Sequence, residues 1–498
     1  MKRFLLVVMT FLLSSGVMAR IYAVAIDGIG YLLDSENMSA SVSRESSYRY
    51  TNEAKYIQVS YKDHVVIPAS VKVGKKSIYY GSDTDYVPAG TYKVTAIGRQ
   101  AFHGCTNLKT ISLPNSITTI ENLAFYKCDN LESVDIPNSV KSIEMGAFYG
   151  CSGLKTINIP NSVTSIGREC FECTGLETIL IPDGVEGLNE AVFKNCSNLH
   201  TINILGEIKY IGVGAFRGCS NLQSIIIPCS VDSIGYAAFR ESGLKSIEVP
   251  SSTKVLGGDV FFGCENLESA ILPDNIKIGY QSFSQCIHLR KIRLGENIVF
   301  DDLGYTFNRC ISLDSVLIPK GAVVKGRGIF KECENLVYVC IEDGVQELGE
   351  MSFLNCINLK DVYVFGELPI EGNDNIFYCT EYYLKERGLE MEDENYIYEH
   401  AELHVPVFRG FDYRLVSPWK NFRTVTDDIG KVPHDGDDDK YKLGDANNDG
   451  EIDSKDIDAI TDYIMAGKAD NFIFKNADVN GDKNVNAADI VLIVKMIK

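Results

Sequence analysis

Near the C-terminus the chain carries a run of oxygen-bearing side chains with a fixed spacing. Asp445, Asn447, Asp449, Asp453 and Asp456 stand at positions 1, 3, 5, 9 and 12 of a twelve-residue loop, with Gly450 at position 6. Hard oxygen donors at that spacing make a cage for Ca²⁺, the glycine allows the sharp turn, and Glu451 at position 7 contributes its backbone carbonyl. The pattern returns 33 residues later in Asp478, Asn480, Asp482, Asn486 and Asp489, with Asn484 as the carbonyl donor. Two loops imply two calcium ions. Four carboxylates in the first loop repel one another without metal, so the module is expected to be loosely folded until Ca²⁺ binds.

Other candidate chemistry is weaker. Cys170-Phe-Glu-Cys173 is formally a CxxC pair, but no second pair completes a four-ligand zinc site. His400-Ala-Glu402-Leu-His404 resembles a zinc-protease motif, yet there the Glu must directly follow the first His on a helix. This stretch runs into Val405-Pro406 and reads as a strand. There is no G-x-S-x-G elbow, and Gly74-Lys75 lacks the upstream glycine of a phosphate-binding loop. Catalysis is not supported by these residues.

The elements that position these residues differ along the chain. Each Asp-rich loop runs into an amphipathic helix, with Ile457, Ile460 and Ile464 matched by Ile490, Ile493 and Ile497. Ile452 and Val485 are placed to pair the two loops. Residues 426–442, which include Asp435-Gly-Asp-Asp-Asp439, are almost free of apolar side chains and read as an acidic linker.

Upstream, one phrase recurs: I-P-N-S-V-x-x-I-x-x-x-A-F-x-x-C-x-x-L-x-x-I-x. Its Phe slot runs from Phe102 to Phe377 with a mean period of about 23 residues, the signature of a stacked solenoid. The L-x-x-I-x-I stretch, as in Leu154 to Ile159, forms a short strand whose alternate residues point inward. Proline ends each strand because it has no N–H for the next rung. The Phe and the preceding Ile, such as Phe148 and Ile143, stack rung on rung, since one rung alone cannot bury them. Asn or Gly before the Leu (Asn107, Asn130, Gly153, Gly175) is expected at positive φ in a turn. Twelve of the 15 cysteines follow the same period, so they read as a ladder of buried thiols rather than a disulfide framework. Within that ladder Cys173 is placed in the usual thiol slot and Ser242 as a substitute for it.

The A-F-x-x-C-x-x-L-x-x-I-x-I-P phrase resembles the BspA-like (Treponema-type) leucine-rich repeats of bacterial surface and secreted proteins, over roughly residues 65–425. The duplicated loop–helix resembles a type I dockerin over residues 443–498, with Asp at position 12 where an EF-hand carries Glu. Lys483 departs from the Gly expected in the second loop. These resemblances imply a mainly β leucine-rich-repeat solenoid of about 13 rungs with a small all-α calcium-binding dockerin behind it. A dockerin implies a cohesin-bearing partner, chosen in part by the pairs just before the last ligand, here Ser454-Lys455 and Ala487-Ala488. The two pairs differ, so the two helices do not offer interchangeable faces.

The expected organisation is a signal peptide over 1–19, a β-rich lead-in over 20–93, the solenoid with its C-terminal cap over 94–425, the linker over 426–442 and the dockerin over 443–498. The leader has Lys2-Arg3, the apolar run Phe4 to Leu13 and a small-residue exit near Ala19, too short to span a bilayer. It implies export to the cell surface or medium. Trp419, the only tryptophan, is expected to seal the last rung. A net charge of −19 argues against nucleic acid and anionic membrane as partners.

The residue between the two strand Ile slots should face outward. In order it is Ser112, Asp135, Asn158, Leu180, Asn203, Ile226, Glu248, Ile271, Arg293, Leu317, Cys340 and Tyr363. Its apolar members Leu180, Ile226, Ile271, Leu317 and Tyr363 form either a docking surface for a protein or glycan or simply reflect strand propensity. The functional expectation is a secreted binding or adhesion protein docked through its dockerin. The alternative is a component of a polysaccharide-degrading, cellulosome-like complex.

Overall fold

The computed structural model describes residues 9–10, 21–27, 29–43, 63–74, 76–80, 83–387, 395–429, 446–447, 451–452, 454–466 and 477. Most of the expected leader and linker lies outside them, residues 9–10 and 426–429 excepted. The chain divides into two compact units, Met1–Pro228 and Cys229–Lys498. Together they hold a β-solenoid of about 14 turns with little helix.

In the first unit, β1 (Ile21–Ile26), β2 (Ile29–Asp34) and β3 (Ser39–Val42) form an antiparallel lead-in. β3 then pairs in parallel with β5 (Gly90–Ile97), against which β4 (Ser70–Val73) lies antiparallel. From β5 onward pairing is parallel, with a register fixed by the repeat: Thr119 faces Ala96 and Ser142, and Ser142 faces Ser165. A second row carries the longer strands, with Ile111 between Val65 and Val134. A solenoid rung contacts its neighbours about one period away, so the period sets the register.

The Phe side chains run through each unit as a stack. Ring centroids of Phe102, Phe125, Phe148, Phe171, Phe193 and Phe216 lie 5.1–5.6 Å apart with planes within 16°. The second unit repeats this from Phe239 to Phe377. Proline does more than end a strand, since its carbonyl accepts from the residue three further on, as in Val140 to Pro137 at 3.0 Å.

Two features of the rung differ from the sequence expectation. The positive φ angles do not fall on the Asn or Gly before the Leu. In the rungs from Phe102 to Phe353 they fall two residues before and two after the Phe, as at Leu123 and Lys127, Gly146 and Gly150, Glu169 and Cys173. The Asn side chain instead reaches the preceding rung, Asn130 Nδ2 donating to the Thr106 carbonyl at 2.7 Å. Where Gly stands, the rung behind is too close for a side chain: a Cβ on Gly175 would sit 2.1 Å from the Ser152 carbonyl oxygen. The second difference is Cys173. Thr174, not Cys173, fills the thiol slot, donating its hydroxyl to the Phe171 carbonyl at 2.8 Å. The missing residue of this short rung therefore lies after the slot.

The second unit continues with β6 (Lys291–Arg293), β7 (Ser315–Ile318), β8 (Tyr338–Ile341) and β9 (Asp361–Val364). The repeat then breaks into α1 (Glu381–Glu386) and α2 (Tyr396–His400), followed by β10 (Glu402–Pro406) and α3 (Gly410–Tyr413). β11 (Thr424–Ile429) pairs with β10, which in turn pairs with β9, both in parallel. Trp419 is fully buried and donates its indole N–H to the Ile370 carbonyl at 2.7 Å. With Tyr398 and Phe422 it packs against Phe377, the latter two edge-on at 5.9 and 5.2 Å, so the stack closes with no flat ring face left over. α4 (Ser454–Ala466) is the helix of the first Asp-rich loop.

Candidate functional site

The ladder of thiols is internal. All fifteen cysteines are free, and twelve are buried. Successive Sγ atoms donate to the carbonyl of the Phe in the rung before: Cys128 to Phe102 at 3.0 Å, Cys151 to Phe125 at 3.1 Å, Cys264 to Phe239 at 3.0 Å and Cys356 to Phe330 at 3.2 Å. Thr174 and Ser242 fill the slot with other partners: the Thr174 hydroxyl donates to the Phe171 carbonyl of its own rung, and the Ser242 hydroxyl lies 3.3 Å from Cys264 Sγ. Burial pushes the Cys264 thiol up to about 11 and the Cys196 thiol up to about 12, which keeps both protonated. These cysteines carry packing rather than redox chemistry.

The strand row behaves differently in the two units. In the first, Ser112, Asp135, Asn158 and Asn203 are exposed, as are Leu180 and Ile226, the latter at 89%. In the second, Glu248 is exposed while Ile271, Arg293, Leu317 and Tyr363 are half-buried. Cys340 departs from the outward-facing expectation. It lies in register between Leu317 and Tyr363 but is only 2% exposed.

α4 lies against β6 in this unit. Asp458 Oδ1 sits 3.5 Å from Arg293 Nη2, an ion pair at the solvent edge and so a weak one. Glu342 lies nearby. Burial raises its carboxyl above the usual range, Glu296 and Asp458 add to that, and the Lys320 N–H at its Oε2 opposes it.

The first Asp-rich loop closes on its twelfth residue. Asp456 is fully buried at the start of α4, and its Oδ1 accepts from the Asn447 backbone N–H at 3.1 Å. Loop position 12 therefore reaches back to position 3, as a cage around one cation requires. Glu451 is exposed, which suits a residue contributing only its carbonyl. The Asp456 carboxylate, the Asn447 amide and the Glu451 carbonyl are oxygen donors of the kind that suits Ca²⁺. Ser454 and Lys455 are exposed on the first turn of α4, while Ile460 is buried. Asp445, Asp449 and Asp453 lie outside the described residues. So do Asp478, Asn480, Asp482, Asn484, Asn486 and Asp489 of the second loop, and the pair Ala487 and Ala488.

The three residues of the zinc-protease look-alike separate. His400 ends α2 with its Nδ1 2.8 Å from the Tyr396 carbonyl, whereas Glu402 and His404 stand on β10. Their neighbour across the sheet is Asp361 of β9, a partner 41 residues from Glu402 that no spacing motif announces. Among the described residues no helix is long and apolar enough to cross a membrane.

The BspA type Leucine rich repeat region model matches in six copies over residues 74–200, 187–302 and 303–387, and the Dockerin type I domain model matches residues 443–498. Dockerin type I domains bind calcium. No curated protein matches the chain. Among solved structures, a leucine-rich repeat protein from Bacteroides ovatus is 25% identical with a TM-score of 0.46, covering 76% of this chain and 99% of its own. A leucine-rich cell surface protein from Faecalibacterium prausnitzii is 25% identical with a TM-score of 0.40, covering 69% and 94%. The pneumococcal vaccine antigen PcpA is 16% identical with a TM-score of 0.44, covering 81% and 97%. The chain belongs to the BspA-type leucine-rich repeat family and carries a type I dockerin domain at its C-terminus.

Proposed function

We propose that the protein is an exported binding module attached to a larger assembly: the solenoid recognises a protein or glycan, and the dockerin plugs into a cohesin domain when Ca²⁺ is bound. The observation that carries this reading is the first calcium loop, with Asp456 buried and hydrogen-bonded back to Asn447 inside the segment that matches the dockerin model. Asp445, Asn447, Asp449, Asp453 and Asp456 would hold one ion and Asp478, Asn480, Asp482, Asn486 and Asp489 a second, with Glu451 and Asn484 giving carbonyls. The metal supplies folding free energy rather than reaction chemistry, because its ligands repel one another in its absence. Ser454 and Lys455 are exposed beside the buried ligand and would meet the cohesin. The division into leader (1–19), lead-in (20–93), solenoid and cap (94–425), linker (426–442) and dockerin (443–498) belongs to the same reading.

On the solenoid, Leu180 and Ile226 are the apolar strand-row residues most open to a ligand. The test is a pull-down from the producing organism's envelope and medium with the full-length protein as bait, in millimolar Ca²⁺ and again with chelator. Capture of a cohesin-bearing protein in Ca²⁺ alone, lost in Asp456→Ala, is the expected result. Equal capture in chelator, or none in either condition, would remove the docking role. Hydrolysis of plant polysaccharide by the purified protein would favour the degradative alternative.

A further inference from the structure

We propose that Asp361, Glu402 and His404, in the cap of the second unit, form a binding site for a divalent transition-metal ion, separate from the two calcium loops. Glu402 and His404 are two apart on β10, so their side chains leave the same face of the sheet. Parallel pairing sets Asp361 opposite Glu402 and Tyr363 opposite His404, which makes Asp361 the diagonal neighbour of the imidazole. His404 Nε2 lies 3.3 Å from Asp361 Oδ1, and one ligand atom from each of the three residues falls within 4.8 Å of the others. Tetrahedral ligands at metal–ligand distances of about 2.0–2.2 Å stand roughly 3.4 Å apart. A small rotation of the Glu402 or Asp361 side chain therefore closes the cage.

The surroundings hold these ligands in place. His404 is 8% exposed, and its ring stacks on Tyr363 with centroids 4.3 Å apart and planes 13° from parallel. That contact fixes the ring and leaves Nε2 directed at Asp361. From the next strand, the Thr426 hydroxyl donates to Glu402 Oε1. Ligands oriented by outer hydrogen bonds and packing are what metal sites use to lower the cost of assembling the cage. Asp361 and Glu402 are half-buried, so an ion can enter from solvent. An imidazole with two carboxylates selects Zn²⁺, Mn²⁺ or a similar ion over Ca²⁺, which prefers all-oxygen ligands. Three protein ligands leave a coordination position for water or for a group on a bound partner.

The competing explanation is a plain ion pair between His404 and Asp361 that closes the last strands. Full-length protein carrying Cys229→Ser, which removes the one exposed thiol, would be titrated with Zn²⁺ and Mn²⁺ by calorimetry in saturating Ca²⁺. Glu402→Gln added to that background keeps the side-chain volume and leaves the Asp361–His404 pair intact. The expected result is one equivalent of Zn²⁺ or Mn²⁺ in the parent, weakened at least tenfold in Glu402→Gln, with a metal-induced rise in melting temperature lost in parallel. His404→Asn serves as a second variant, with circular dichroism to check the fold. No binding in the parent, or equal stoichiometry and affinity in parent and Glu402→Gln, would overturn the site and leave only the ion pair.

Discussion

Counting thiols before and after unfolding tests the rung packing throughout the chain. The full-length protein, purified without reductant, would be treated with a chromogenic disulfide reagent at pH 8, first native and then in guanidinium chloride. In the native state Cys229 is exposed and should react at once, with Cys105 and Cys173, half-buried, following more slowly. The other twelve are buried, and two effects protect them. Raising the Cys264 thiol from 9.0 to about 11 lowers its thiolate fraction by roughly a hundredfold, because each unit is a factor of ten. The reagent must also wait for the rung to open, and an opening free energy of about 5 kcal/mol slows the reaction by a further three to four powers of ten, roughly. The native trace should therefore show one fast thiol, two slower ones and a long plateau. Cys229→Ser should remove the fast phase and nothing else. In denaturant all fifteen thiols should react. Fewer than fifteen in denaturant would mean that disulfides had formed, and four or more thiols reacting natively at the rate of Cys229 would mean that the ladder is open to solvent. Either result refutes the internal thiol-to-carbonyl ladder.

Phe307→Ala should destabilise the second unit by about 3–5 kcal/mol, read as a lowered denaturation midpoint, because that buried ring is stacked at 5.1 Å on both sides. Gly175→Ala should cost about 2–3 kcal/mol in the same assay, since the new Cβ meets the backbone oxygen of Ser152, whereas Gly74→Ala, with open space around it, should be near neutral. In the cap, burial raises the Glu334 carboxyl, but hydrogen bonds from Arg387 and Tyr383 outweigh it and hold the group below its usual 4.5. A depressed carboxylate contributes stability above the unfolded value that is lost as pH falls through the folded one. Glu334→Gln should accordingly lower the melting temperature at pH 7 and have progressively less effect as the pH drops below 4.5. Asp456→Ala should weaken Ca²⁺ binding to the first loop and reduce the Ca²⁺-induced gain in helical circular dichroism, since α4 begins beside that ligand.

Much of this protein is legible in its sequence because a solenoid is nearly one-dimensional. Each residue's main partners lie one period away, so the recurrence of Phe, Pro and Cys already fixes the parallel register, the ring stack and the thiol ladder. The first Asp-rich loop is legible for a related reason: its residues are close in sequence, and Asp456 reaches Asn447 across only nine residues. Asn and Gly before the Leu misled on backbone conformation, because both also serve where rungs pack closely, Asn130 by reaching the Thr106 carbonyl and Gly175 by leaving room for Ser152. The positive φ angles sit at positions held by Gly in some rungs, such as Gly146 and Gly150, but by Leu123, Lys127 and Glu169 in others, where stacked turns impose them and composition carries only a partial signal. Thr174 took the thiol slot with its hydroxyl turned to the Phe171 carbonyl of its own rung, a substitution visible only once the rung closes. Burial of Cys340 and the meeting of Asp361 with His404 were decided by tertiary structure alone. In the cap the repeat breaks off, and strand pairing between β9 and β10 joins residues 41 apart in the chain, a separation that no periodicity encodes.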